Sequence, residues 1–126
     1  MADIRVLIVE DDPFIAMDIE SAVADQLGDG AELIVVESVA EARRAAARKL
    51  SCALLDIDVV GGKTFDVASA LQKAGIPFAF VSGSAPSEVP APLRNARFLR
   101  KPFSIREVAT FVMNAIGSAP SKVMQG

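Results

Sequence analysis

The stretch Ile4-Arg5-Val6-Leu7-Ile8-Val9-Glu10-Asp11-Asp12-Pro13 decides how the rest of the chain is read. Its first six residues are almost wholly apolar and rich in β-branched side chains, the composition of a strand buried on both faces. Three acids follow at once. Asp12 then stands as a helix N-cap with Pro13 at the first helical position, where a missing N–H costs nothing. Residues 14–27 carry Ile15, Ile19, Ala22, Val23 and Gln26 at helical spacing, and Gly28 is placed to cap the helix end. A buried strand passes through an acidic turn into an amphipathic helix.

The same unit recurs. Residues 32–37 predict a second strand. Ser38-Val39-Ala40-Glu41 has the capping-box pattern and opens a helix reaching to about Lys49. Residues 52–56 predict a third strand, 64–74 a helix closed by Gly75, and 77–81 a fourth strand. Pro86, Pro90 and Pro92 crowd residues 84–95, and proline costs about 3 kcal/mol inside a helix, so a fourth helix is expected to be short or irregular. Arg97–Arg100 is a brief fifth strand. Ser104-Ile105-Arg106-Glu107 is a second capping box, opening a helix with Ile105, Val108, Ala109, Val112 and Ile116 on one face and Gly117 at its end. Five apolar strands alternating with helices predict an α/β domain, a five-stranded parallel sheet doubly wound with helices on both faces. The expected domain is 1–117, with 118–126 a polar, flexible tail.

Composition narrows the chemistry. The chain has 126 residues, one ordinary domain's worth, and no histidine, which excludes Ser-His and Cys-His nucleophile pairs and imidazole-held zinc. The lone Cys52 excludes an internal disulfide and fits a reducing compartment. A net charge of −3 offers no general attraction to nucleic acid or to an anionic membrane. No apolar run approaches the ~20 residues of a membrane span, and no secretory leader is evident, so a cytoplasmic protein is expected. What remains is chemistry resting on carboxylates, Lys, Arg, hydroxyls and a hard metal ion.

In open parallel sheets, ligands bind beyond the carboxyl ends of the strands. There the chain places Glu10-Asp11-Asp12 after strand one, Asp56 and then Asp58 after strand three, Ser82-Gly83-Ser84 at strand four and Lys101 after strand five. Two carboxylates about 4 Å apart repel by about 4 kcal/mol at an effective dielectric near 20. Such a cluster calls for positive charge, from Lys101 or from a divalent cation with oxygen ligands. Any one of these acids alone reads as a solvated loop or a cap, and Asp12 is expected to be only a cap. The ordered set over four strand ends is what carries meaning.

That set resembles the receiver domains of two-component response regulators. Leu7-Ile8-Val9-Glu10-Asp11-Asp12 resembles the acid pair of strand one, Leu54-Leu55-Asp56 the phospho-acceptor strand, Val81-Ser82-Gly83 the hydroxyl position, and Leu99-Arg100-Lys101-Pro102-Phe103 the Lys-Pro-Phe signature. The resemblance runs over residues 4–116 and implies a flavodoxin-like (βα)5 fold. It implies Asp56 as phospho-acceptor, taking the group from a sensor histidine kinase or a histidine phosphotransfer protein. It implies Mg2+ held by Asp11, Asp56, the backbone carbonyl of Asp58, and Glu10 through water, with Lys101 contacting the phosphoryl oxygens. Ser82 and Phe98 stand at the switch positions, Phe98 lacking the hydroxyl of the more usual tyrosine. Lacking histidine, the chain can accept a phosphoryl group but cannot be the phosphohistidine donor; it is not a classical enzyme, yet would catalyse its own phosphorylation and dephosphorylation. A downstream protein partner, and a monomer or weak dimer, are expected; nucleic acid and membrane are not.

Two departures stand out. The loop Ile57-Asp58-Val59-Val60-Gly61-Gly62-Lys63 lacks the common Met-Pro and adds a carboxylate at Asp58, and the three prolines disturb the fourth helix. Phe65, Phe78, Phe80, Phe103 and Phe111 read as core. Two other readings compete: a receiver-like binding module that is never phosphorylated, and a haloacid-dehalogenase-type phosphatase. The latter shares Asp56-x-Asp58 after an apolar strand, but places that strand first, whereas here the acid pair precedes it.

Overall fold

The computed structural model describes residues 4–117; the tail expected at 118–126 lies outside them. Strands β1 (Ile4–Val9), β2 (Ala31–Val36), β3 (Cys52–Leu55), β6 (Phe78–Ser82) and β7 (Arg97–Arg100) form one parallel sheet in the order β2-β1-β3-β6-β7. Two further strands, β4 (Asp58–Val59) and β5 (Gly62–Lys63), pair antiparallel in a small hairpin just after β3.

Alternation along the strands sorts the core into two layers. Val6 and Ile8 of β1, Cys52 and Leu54 of β3, and Ala79 and Val81 of β6 pack against helices α1 (Pro13–Leu27) and α4 (Ile105–Gly117). Leu7, Val9, Ala53, Leu55, Phe78 and Phe80 face α2 (Val39–Ala46) and α3 (Phe65–Lys73) on the other side. The central strands are buried on both faces, so they read as apolar runs. Phe78, Phe80 and Phe111 are buried, and Phe65 and Phe103 pack half-buried at the edges of the two layers.

The helix ends follow their residues. The Asp12 carboxylate accepts from the N–H groups of Phe14 and Ile15, and Gly28 takes a positive φ of 71° at the end of α1. Ser104 and Glu107 close a reciprocal box, the Ser104 N–H donating to Glu107 Oε1 at 2.9 Å and the Glu107 N–H to Ser104 Oγ at 3.1 Å.

The structure corrects several boundaries. Helix α2 ends at Ala46, short of Lys49, because Ala47 and Arg48 donate to carbonyls three residues back; the chain then turns to bury Leu50 and hand Ser51 to β1. Gln26 is exposed, and the buried face of α1 is Ala16, Ile19, Ala22 and Val23. Ile105, at the first position of α4, is also exposed. In place of a fourth helix between β6 and β7 the chain makes two 3₁₀ turns, Pro86–Glu88 and Ala91–Leu93, each with proline in its first two positions. The ring closes φ for one turn, and the next proline has no N–H to continue the ladder.

Candidate phosphoryl-acceptor site

The sheet order reverses direction between β1 and β3, and this is where a doubly wound sheet opens a crevice at its carboxyl edge. Register carries the predicted residues there. Val9 pairs with Leu55, so Glu10 and Asp56 leave the sheet side by side; Ser82 pairs with Arg100, so Lys101 follows beside them. Main-chain bonds continue the ladder past the strand ends, from Glu10 N–H to the Val36 carbonyl (3.0 Å), from Asp56 N–H to that of Val9 (2.8 Å) and from Lys101 N–H to that of Ser82 (2.9 Å).

Lys101 reaches back over this edge. Its Nζ lies 2.9 Å from Glu10 Oε1 and donates to Asp56 Oδ2 at 3.2 Å. Glu10 and Asp56 are both buried, at 2% and 7% exposure, so losing Lys101 would leave uncompensated buried charge, a far larger cost than breaking a surface ion pair. Burial pushes the Glu10 carboxyl up to about 7; Lys101 pulls against this and the Asp56 charge adds to it. Burial acts on Lys101 in the opposite sense, lowering it, but its contacts with Glu10 and Asp56 prevail and leave it above the ordinary lysine value.

Asp11 is exposed at the rim. One carboxylate oxygen each from Glu10, Asp11 and Asp56 fall within 4.8 Å of one another. Three hard oxygen donors at this spacing suit a small divalent cation, and Glu10 Oε1 is buried with no hydrogen bond of good geometry, its contact being the charge of Lys101 alone. The donor set fits Mg2+.

Asp58 stands apart from this cluster. Its side chain is exposed and ion-paired with Lys63 across the hairpin, so the Asp58 carboxylate is not the partner of Asp56 that the second acid of a phosphatase Asp-x-Asp pair would be. Ser82 is buried, and its hydroxyl accepts from the Ser84 N–H at 3.1 Å. Phe98 is half-buried on β7, its ring 6.4 Å from that of Phe80, and both rings line a cavity of about 260 Å³ with Val89, Leu93 and Arg94.

Two features of the site were not read from the sequence. The hairpin had a signal in Val60-Gly61-Gly62, a tight connection whose glycines take φ of 95° and 129°. Thr64 had none: it reads as the first residue of the helix at 64–74, yet it stands before α3 and its hydroxyl donates to the Asp56 carbonyl at 2.7 Å.

The fold is that of response-regulator receiver domains. The chain is similar to a response regulator receiver domain protein (CheY-like) from Methanospirillum hungatei JF-1, with a TM-score of 0.77 at 19% identity over 98% of each chain. It is similar to a response regulator receiver protein from Sinorhizobium medicae WSM419, with a TM-score of 0.77 at 21% identity over 91% of this chain and 95% of that one. It is also similar to the receiver domain of a sensor histidine kinase from Pseudomonas aeruginosa PAO1, which has a magnesium ion coordinated in its active-site cleft (TM-score 0.76, 21% identity, 93% of this chain and 100% of that one). No protein-family model matches the chain, and no curated protein matches it. Among the described residues no helix is long and apolar enough to cross a membrane.

Proposed function

We propose that the protein is a phospho-accepting receiver of a two-component system, with Asp56 as the acceptor. The observation that carries this reading is the buried Asp56 carboxylate, held by Lys101 and set within 4.8 Å of carboxylate oxygens of Glu10 and Asp11 at the carboxyl edge of the sheet. A carboxylate oxygen of Asp56 attacks the phosphorus of a phosphorylated imidazole on a sensor kinase or phosphotransfer protein. The O–P bond forms as the P–N bond breaks, the imidazole leaves and takes up a proton, and Asp56 becomes a mixed carboxylic–phosphoric anhydride.

The obstacle is charge, since an anionic nucleophile approaches an anionic group. Lys101 already stands at the reacting edge and contacts the incoming phosphoryl oxygens without having to be recruited. Glu10, Asp11, Asp56 and the Asp58 carbonyl would hold Mg2+. Bound there, the ion supplies positive charge against the phosphoryl oxygens and relieves the repulsion among the three acids.

Phosphorylation places a doubly negative group next to Ser82. Its hydroxyl exchanges the Ser84 N–H for a phosphoryl oxygen, drawing the start of the β6–β7 connection inward. Phe98 follows toward the cavity beside Phe80. A downstream protein reads the altered surface.

Incubation with Mg2+ and acetyl phosphate, followed by intact mass spectrometry, tests the reading. The expected result is a single phosphoryl adduct, labile to hydroxylamine and absent from Asp56→Asn. An unlabelled wild type, or an equal adduct on the variant, overturns it. Beryllofluoride is expected to shift the amide resonances of Ser82 and Phe98; a spectrum unchanged there overturns the switch.

A further inference from the structure

We infer that Thr64 is a positioning residue for Asp56, its buried hydroxyl fixing the nucleophile's main chain for phosphoryl transfer; the inference rests on Asp56 being the acceptor. Among the described residues, four polar or charged side chains are buried: Glu10, Asp56, Ser82 and Thr64. The first three meet at the site already described. Thr64, with no exposure at all, is the fourth, and it bonds to the residue at the centre of that site.

Its bonding is not that of an ordinary cap. Asp12, Ser38 and Ser104 each accept an N–H from the first turn of the helix that follows. Thr64 occupies the same position before α3 and makes no such bond. Its Oγ1 turns back and donates to the Asp56 carbonyl at 2.7 Å, while its own N–H donates to the Ile57 carbonyl at 3.0 Å. The loop that leaves Asp56 is thus closed at its base by one residue.

The consequence falls on the nucleophile. The Asp56 N–H is held by the Val9 carbonyl at 2.8 Å and its carbonyl by Thr64, so both peptide planes flanking its Cα are set. Only the side-chain torsions stay free, and Lys101 restrains those through Oδ2. Holding a reacting group near its attack geometry is worth orders of magnitude in rate, and a small misplacement forfeits part of it.

The test is the rate constant for labelling by acetyl phosphate at saturating Mg2+, measured well below every melting temperature. Thr64→Val keeps the shape and removes the hydroxyl; its rate is expected to fall about tenfold. Thr64→Ser restores the donor and is expected to stay within about twofold of wild type. Val67→Ala, a buried change on the same helix, controls for lost stability and is expected to label at the wild-type rate. The inference is overturned if Thr64→Val labels like wild type, if serine fails to restore the rate, or if Val67→Ala falls as far. Should Thr64→Val not fold, Thr64→Ala set against Thr64→Ser decides by the same criteria. A labelled wild type with unaffected variants removes the role of Thr64 alone; an unlabelled wild type removes phosphoryl acceptance itself, and this role with it.

Discussion

The β3–α3 loop and the β6–β7 connection both border the carboxyl edge that holds Asp56, and they are secured by different means. The first is tied to neighbouring segments by main chain, with the Thr64 hydroxyl closing its base. The Val60 N–H donates to the Glu37 carbonyl, the Val39 N–H to that of Val60, and the Thr64 N–H to that of Ile57, with the β4–β5 hairpin between them. The second keeps its main-chain bonds within its own 3₁₀ turns and is latched to its surroundings by side chains. Arg94 Nε donates to the Val89 carbonyl at 2.8 Å and Gln72 Nε2 to that of Pro92 at 3.0 Å, while Val89 and Leu93 plug into the core. Beneath the second lies the cavity of about 260 Å³; the first packs directly on Val39. A loop held by its own backbone stays put while chemistry proceeds beside it. A segment bonded mainly within itself, and joined to its surroundings by a few side chains over unfilled space, can exchange one packing for another at small cost.

That contrast can be broken, starting with the largest expected effect. Leu93→Ala removes a buried anchor of the latched segment and is expected to cost about 2–4 kcal/mol in chemical denaturation. A loss below about 1 kcal/mol would mean that the second 3₁₀ turn contributes little to the core. The site between the two segments can be perturbed without touching either. The folded Glu10 carboxyl sits near 7, above its ordinary 4.5, so the folded state binds the extra proton between those values. Its contribution to stability is therefore complete below about pH 4.5 and lost as pH rises through 7, by at most about 3 kcal/mol in metal-free buffer, less as solvent screens the charge. Glu10→Gln should flatten the profile; a wild type already flat would mean that Lys101 keeps Glu10 ionised throughout.

Gly61→Ala acts on the tied loop. Gly61 has a φ of 95°, and an added Cβ would meet Val39 at 3.6 Å, so space suffices and backbone conformation sets a cost of about 1–2 kcal/mol, read from thermal melts. Arg94→Ala should have the smallest effect, about 1 kcal/mol or less. Its mark is local: amides of residues 84–96 should exchange faster with solvent while those of 57–64 keep their protection. Equal acceleration in both would erase the distinction between the two loops.

Much of this was legible because it depends on neighbours in sequence. Apolar runs ending in Glu10, Asp56, Ser82 and Lys101 mark strand ends, since a strand buried on both faces tolerates polar residues only where it emerges. Asp12, Ser38 and Ser104 marked helix starts because a cap bonds within its own first turn. Where the reading missed, longer-range contacts prevailed. Gln26 shares the helical spacing of Ile19, Ala22 and Val23 but is exposed, while Ala16, outside that set, is buried. Lys49 fitted helical periodicity, but the need to bury Leu50 ended α2 early. Thr64 falls within the helix expected at 64–74, but it stands just before α3 and bonds across the loop instead.

By itself the sequence determined the order of elements, the parallel doubly wound sheet, the irregular fourth connection and the short set of residues with chemistry to offer, because periodicity, proline and caps act through local sterics and hydrogen bonding. Only the tertiary structure decided what those residues do to one another. Strand register put Lys101 between Glu10 and Asp56, the hairpin drew Asp58 away onto Lys63, and Thr64 came to rest on the Asp56 carbonyl. Each is a contact of a few ångströms between segments distant in the chain, and such distances exist only once the strands have paired and the core has closed over them.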